Sequence, residues 1–231
     1  MKLSIVIPVY NEVKTLDKIL SKVNSVKFPI SKEIILVDDF STDGTRNILK
    51  KLEKKYKVVY HMKNKGKGAA VRTGLQNATG DILTVQDADM EYDPHEFLKL
   101  LDLILSGKYK VVYGSRFLGN KISSKKKWFV PSHYLGNKML SLATSILYFR
   151  HVTDMETCYK MFTREVLKGM KLRAMRFDFE PEITAKIIKK GYKIKEIPIN
   201  YYPRGFDQGK KIDWRDGIKA LLYLLRYRFF D

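Results

Sequence analysis

The stretch LSIVIPVYNEVKTLDKILSKV, Leu3 to Val23, decides how this chain folds. It opens with a short run rich in Ile and Val and bounded by Pro8 and Asn11, the pattern of a buried strand. From Glu12 to Val23 the period changes: Leu16, Ile19, Leu20 and Val23 recur at spacings of three and four and mark one face of a helix. A buried strand followed by an amphipathic helix is the first half of a βαβ unit.

The same change of period recurs through the first half of the chain. EIILVD from Glu33, VVYHM from Val58, DILTVQ from Asp81 and KVVYG from Lys110 read as strands. Helical patterns lie between them, at Thr45 to Tyr56, Gly68 to Asn77 and Pro94 to Leu105, the last with Phe97, Leu100, Leu101 and Ile104 on one face. Repeated βα units predict an α/β fold with a mostly parallel central sheet and helices on both faces. Ligands of such sheets bind at the carboxyl ends of the strands. The unusual residues fall there: Pro8, Tyr10, Asn11 and Glu12 after the first strand; Asp38, Asp39 and Ser41 to Thr45 after the second; an acid run after the fourth; and Gly114, Ser115 and Arg116 after the fifth.

The second half is less regular. Lys121 to Lys127 reads as a basic loop, and Pro131 to Phe149 as a helix with Leu135, Met139, Leu142, Ile146 and Phe149 along one side. A helix from Phe179 to Lys190 closes at Gly191, an extended run covers Lys193 to Pro203, and a last helix covers Trp214 to Phe229. With no internal repeat and no linker, residues 1–231 read as a single domain.

Composition narrows the class of function. With 45% hydrophobic residues the chain can bury a sizeable core, and 44 Lys and Arg against 25 Asp and Glu give a formal net charge of +19, which asks for an anionic partner. Nucleic acid is excluded as that partner, because Glu12, Asp38, Asp39 and the acid run would line the cleft a phosphate backbone needs. Cys158 is the single cysteine, so neither an intramolecular disulfide nor a cysteine-rich zinc site can form, and a reducing compartment is expected. No segment approaches the roughly 20 apolar residues of a membrane span, and MKLSIVIPVY is too short for a secretory core and reads as a strand.

The acid run is VQDADMEYDP, Val85 to Pro94. In extended backbone alternate side chains share a direction, so Asp87, Asp89 and Glu91 are expected to converge. Converging carboxylates call for a cation, and an all-oxygen set favours Mg²⁺ or Mn²⁺ shared with substrate phosphates; a solvated acidic loop is the plain alternative. Asp93, before Pro94, reads as the cap of the next helix. GKGAAVRTG, Gly66 to Gly74, lacks the endings of the Walker and dinucleotide motifs. It is either a glycine-rich helix start that permits close packing, or an anion site flanked by Lys67 and Arg72.

Taken together, IVIPVYNE (Ile5 to Glu12), VDDFSTDGT (Val37 to Thr45), KGKGAAVRTG (Lys65 to Gly74) and QDADMEYDP (Gln86 to Pro94) resemble, in order and spacing, the family 2 glycosyltransferases, and within them the dolichol-phosphate mannose and glucose synthases. VYGSRF (Val112 to Phe117), TDMETCYKMF (Thr153 to Phe162) and IPINYYPR (Ile197 to Arg204), on through Gly209 and Lys210, extend the likeness over nearly the whole chain. The resemblance implies a GT-A fold, with residues 1–116 as a nucleotide-sugar-binding half and 117–231 as a helical and extended acceptor-side half. It implies that Pro8, Tyr10, Glu12, Val37, Asp39, Lys67, Asp87, Ala88, Asp89, Arg116, Arg204 and Lys210 form the donor site, and that Asp87, Asp89 and Glu91 hold the divalent ion. Glu91 departs from the mannose synthases, which often carry Gln there.

The activity implied is inverting transfer of a hexose from GDP-mannose or UDP-glucose to a polyprenyl or dolichyl phosphate, with Asp89, Asp154, Arg116 and Arg204 as the catalytic set. An acceptor phosphate is already anionic near neutral pH and needs no general base. The alternative acceptor, a saccharide hydroxyl, needs one, and Asp154 is preferred over Glu156 for that role. Glu180 and Glu182 read as acids that satisfy a helix dipole. A lipid acceptor implies peripheral attachment to the cytoplasmic face of a membrane through KKKWFV (Lys125 to Val130) and GIKALLYLLRYRFF (Gly217 to Phe230). The final helix either does this or packs on the core through Leu221, Leu222 and Leu225. A membrane-protein partner or a homo-oligomer stays open at this level.

Overall fold

The computed structural model describes residues 1–118, 131–203 and 214–230. Each expected strand of the first half is present: β1 (Lys2–Val9), β2 (Ser31–Asp38), β3 (Lys57–Tyr60), β4 (Ile82–Val85) and β5 (Val111–Ser115). The helices between them are α1 (Leu16–Ser25), α2 (Thr45–Leu52), α3 (Lys67–Asn77) and α4 (Phe97–Leu105), the last entered through a 3-10 turn at Pro94–Glu96 that Asp93 caps by accepting from the His95 amide at 3.1 Å. Fully buried Leu16 and Ile19 on α1 each contribute about 1.5–3 kcal/mol by leaving water.

The second half supplies α5 (Pro131–Tyr148), β6 (Lys160–Thr163), α6 (Arg164–Leu167), α7 (Phe179–Lys189), β7 (Lys195–Pro198) and α8 (Trp214–Phe229). One seven-stranded sheet results, in the order β3-β2-β1-β4-β6-β5-β7. β6 pairs antiparallel with both β4 and β5, and every other pairing is parallel. β5 and β7 therefore run with β4, and the segment entering β6 reaches the same edge as the carboxyl ends of the other strands. The order reverses between β1 and β4, where an open α/β sheet leaves a crevice.

Three features lie beyond what the local pattern specifies. β6 has no period of its own to announce it: KMFT is four residues long and lies buried in mid-sheet. The apolar side of α5 faces outward, with Leu135, Met139, Leu142, Ile146 and Phe149 between 60% and 77% exposed. On α8, Leu221, Leu222 and Leu225 are likewise exposed, while Ala220, Leu224 and Tyr227 pack with Leu140 and Tyr148 of α5 in a small second core. The main core runs from Leu3 to Ile199 and is shared by the two halves of the chain.

Candidate active site

A cavity of about 430 Å³ opens at the carboxyl edge of the sheet, on the β1/β4 crevice. β1 brings Pro8, Tyr10 and Glu12 to it, β2 brings Asp39, and the turn before α3 brings Lys67. Beyond β4 come Asp87, Ala88, Asp89 and Glu91, and beyond β5 comes Arg116. These ten expected site residues meet in one place. Val37 does not: it is fully buried within β2. Asp154 is also absent from the lining, and Arg204, Lys210 and KKKWFV lie outside the described residues.

Hydrogen bonding explains how the nucleotide-side loops keep their shape. The turns after β1 and β2 are laced together: the Asn11 amide donates to Ser41 Oγ at 3.0 Å, Thr42 N to Asn11 Oδ1 at 2.8 Å, and Glu12 N to Thr45 Oγ1 at 2.9 Å. Asp39 receives the amides of Lys65 (2.9 Å) and Gly66 (2.7 Å) and contacts His61 Nδ1 at 2.8 Å, so it holds the loop that delivers Lys67. The start of α3 is not an anion site. Its Gly68 and Ala69 amides donate to the carbonyls of Arg176 and Met175 at 2.8 and 2.9 Å, and Arg72 donates to Ala174 O. Close approach explains the glycine: a Cβ at Gly68 would lie 2.8 Å from Arg176 O.

The acid run does not stay extended. It leaves the sheet at Val85 and turns, with Met90 at φ +67°, so the alternation argument fails although all three carboxylates still line the cavity. Asp87 Oδ2 accepts from Lys67 Nζ at 3.0 Å, Asp89 Oδ1 from the Glu91 amide at 3.1 Å, and Glu91 Oε2 from Tyr201 O–H at 2.6 Å. Among the described residues no three His, Cys, Asp or Glu side chains stand together as an ion site. An ion arriving on a diphosphate needs only one or two protein carboxylates, and the oxygen-only set in this cavity fits Mg²⁺ or Mn²⁺ in that mode.

The far wall comes from the second half. Asn137 of α5, Glu156 and Cys158 from the segment entering β6, Glu180 of α7 and Tyr201 beyond β7 all line the cavity. Asp154, fully buried, is fixed by Arg116 through Nε–Oδ2 at 2.8 Å, Nη2–Oδ1 at 2.7 Å and the Arg116 amide at 2.9 Å. Both of its oxygens are committed to orienting the guanidinium, so it is not placed to act as a base. Burial works against charge on Arg116, yet Asp154 holds the guanidinium well above its ordinary pKa. Lys67 behaves alike: burial is outweighed by Asp87 and by Glu180, whose Oε1 lies 3.0 Å from Nζ.

Sequence reasoning assigned Glu180 and Glu182 to the α7 dipole, and both do sit in its first turn. Glu182 is structural, accepting from the amides of Arg173 and Ala174. Glu180 is a cavity residue that local sequence could not distinguish from it. Cys158 is buried as expected and also lines the cavity; burial and Asp87 push its thiol well above the ordinary range, which makes it a poor nucleophile.

This sheet order, with helices on both faces, is that of the GT-A fold. The family model for glycosyl transferase family 2 matches residues 4–170, and the chain belongs to that family. It is similar to the dolichol-phosphate mannosyltransferase of Pyrococcus furiosus, 30% identical over 91% of this chain, though the chain spans only 59% of that relative's length. It is also similar to the UDP-N-acetylglucosamine–dolichyl-phosphate N-acetylglucosaminyltransferase of Methanococcus voltae, 29% identical over 96% of this chain and 94% of the relative. Among solved structures, glucosyl-3-phosphoglycerate synthase of Mycobacterium tuberculosis with Mn²⁺, UDP and phosphoglyceric acid superposes with a TM-score of 0.72 at 18% identity, over all of this chain and 79% of that one. Its complex with Mg²⁺ and UDP gives 0.73 at 19% identity, over 98% and 79%. At these identities the likeness is one of fold.

Proposed function

We propose that the chain transfers a hexosyl group, with inversion, from a nucleotide sugar to a polyprenyl or dolichyl phosphate, using Mg²⁺ or Mn²⁺. The observation that carries this is one cavity where Asp87, Asp89 and Glu91 meet the cations Lys67 and Arg116, with a wall from α5, whose outer side is an exposed apolar stripe. The names of the relatives support a lipid phosphate as acceptor and differ in the sugar they mention, so the donor is one of a class.

In the reaction, an oxygen of the acceptor phosphate attacks the anomeric carbon from the face opposite the leaving group. The bond from that carbon to the diphosphate oxygen breaks, and the nucleoside diphosphate departs with the electron pair. The acceptor is a dianion above a pKa of about 6 and carries no proton to remove, which agrees with the commitment of Asp154 to Arg116. Arg116 and Lys67, both expected in the donor site, face the negative charge that grows on the leaving group. When bound, the ion supplies charge neutralisation at the diphosphate, with Asp89 and Glu91, and Asp87 once Lys67 shifts, as the residues that would hold it.

A panel of labelled nucleotide sugars with polyprenyl phosphate tests the reading. Lipid-soluble label should appear, disappear with EDTA, return with Mg²⁺ or Mn²⁺, and fall by about 10²-fold or more in Asp89→Ala. Label that persists with EDTA or in Asp89→Ala would refute the metal assignment. Transfer to a saccharide, with no response to lipid phosphate, would refute the acceptor.

A further inference from the structure

One cavity carboxyl group has no task in that reaction. Glu156 lies in TDMETC, the segment that the antiparallel direction of β6 delivers to the cavity edge. Its backbone neighbours are held from several sides. Glu196 of β7 accepts from the amides of Thr153 (2.7 Å) and Asp154 (3.0 Å), Ser141 of α5 accepts from Met155 N (3.0 Å), and the Tyr92 hydroxyl accepts from Cys158 N (3.3 Å). From beneath, the buried ammonium of Lys160 donates to the carbonyls of Met155 and Thr157. A segment held this firmly presents its one cavity-facing acid in a fixed position.

Glu156 Oε1 is buried and has no hydrogen-bond partner. A native structure rarely leaves a buried carboxyl oxygen bare unless something absent is meant to satisfy it or the group works there. The charged groups facing it are Glu180 of α7, Lys160 of β6, Arg116 beyond β5 and Asp154 of its own segment; burial first, then Glu180, pushes its pKa up to about 8. At neutral pH the group is a neutral acid, able to donate as well as accept, and it does not repel anions entering the cavity.

Its place in the charge network locates its ligand. Asp87 pairs with Lys67, Lys67 with Glu180, Glu180 interacts with Glu156, and Glu156 with Arg116. Glu156 therefore lines the cavity beside the groups that face the diphosphate. The substrate part attached to that diphosphate is the hexosyl group, neutral and rich in hydroxyl groups. We propose that Glu156 is a substrate-contacting residue that hydrogen-bonds a hydroxyl of the donor's hexosyl group, positioning the sugar for attack and discriminating between epimeric donors. This rests on the cavity taking a nucleotide sugar, as inferred above.

Glu156→Gln preserves the shape of the neutral acid, and Glu156→Ala removes the contact. Steady-state kinetics with GDP-mannose, UDP-glucose and UDP-galactose, and titration calorimetry with UDP and GDP alone, separate the roles. The Ala variant should raise the donor KM about tenfold, the loss of one hydrogen bond. It should also change the ratio of kcat/KM between epimers, while Kd for the free nucleoside diphosphate stays within about threefold. The Gln variant should stay within about threefold of wild type at pH 7 and lack the decline in activity expected of wild type as pH rises through about 8. A Gln variant as inactive as Ala at saturating donor would overturn the proposal in favour of a base. An Ala variant with unchanged donor KM and epimer ratio would overturn any contact. If wild type binds neither UDP nor GDP, the nucleotide-sugar reading fails, and this proposal with it.

Discussion

At the scale of single residues, Asp154 and Glu156 sit two apart in one motif and have different fates. Asp154 is spent on Arg116, and Glu156 is left facing the cavity. Spacing brought both to the site, but only the surrounding partners separated their roles. Glu33 teaches the same lesson for stability. Its carboxylate accepts from Ser4 Oγ (2.5 Å), Thr79 N (2.6 Å) and Gly80 N (3.0 Å) and pairs with Lys2 Nζ (3.2 Å), tying β1 and β2 to the turn before β4. Burial alone would raise its pKa; the bonds from Ser4 and Thr79 instead bring it to about 2, from an ordinary 4.5. A depressed folded-state pKa contributes stability that is present above pH 4.5 and lost as pH falls towards 2. Glu33→Ala should cost about 2 kcal/mol at pH 7 and flatten the acid limb of the denaturation profile; an unchanged limb would refute the clamp.

At the scale of elements, close packing and outward-facing helices decide the behaviour. α3 lies against β1 so tightly that a Cβ on Gly74 would come 2.2 Å from Val6 Cγ1. Gly74→Ala should therefore destabilise the chain by about 1–3 kcal/mol. Adding Val6→Ala should recover part of that loss in a double-mutant cycle, and additive costs would count against the contact. α5 and α8 pose the opposite case. They pack together through Leu140, Leu224 and Tyr227 yet leave Met139, Leu142, Ile146, Leu222 and Phe229 exposed. The proposed lipid acceptor would bring this face against a membrane surface, where such helices lie in the plane of the headgroups. The pair Leu142→Glu and Ile146→Glu should abolish co-sedimentation with anionic vesicles without changing the melting temperature. Retained vesicle binding would rule this face out.

At the scale of the molecule, a net charge of +19 surrounds a cavity lined by acids, and the two fit if the substrates are anions drawn to a basic body and an ion joins them to the carboxylates. Among the described residues no helix is long and apolar enough to cross a membrane. Each cation near an anionic leaflet is worth about 1 kcal/mol. Raising ionic strength from about 0.1 M to about 1 M shortens the screening length from about 10 Å to about 3 Å. Vesicle binding should weaken steeply over that range, and salt-independent binding would leave the apolar face as the sole attachment. By itself the sequence determined the mostly parallel sheet, the edge that carries the cavity and ten of the residues that line it, because strand and helix periods and the turn residues between them are local properties. Tertiary structure decided what local patterns cannot contain. It inserted four-residue β6 antiparallel between β4 and β5, turned the apolar side of α5 outward, withdrew Val37 and Asp154 from the cavity and brought Glu180 and Glu156 into it. Each outcome depends on partners far along the chain, such as Lys67 for Glu180, 113 residues away, or Tyr201 for Glu91, 110 residues away, and spacing along the chain does not encode which distant group will satisfy a buried charge.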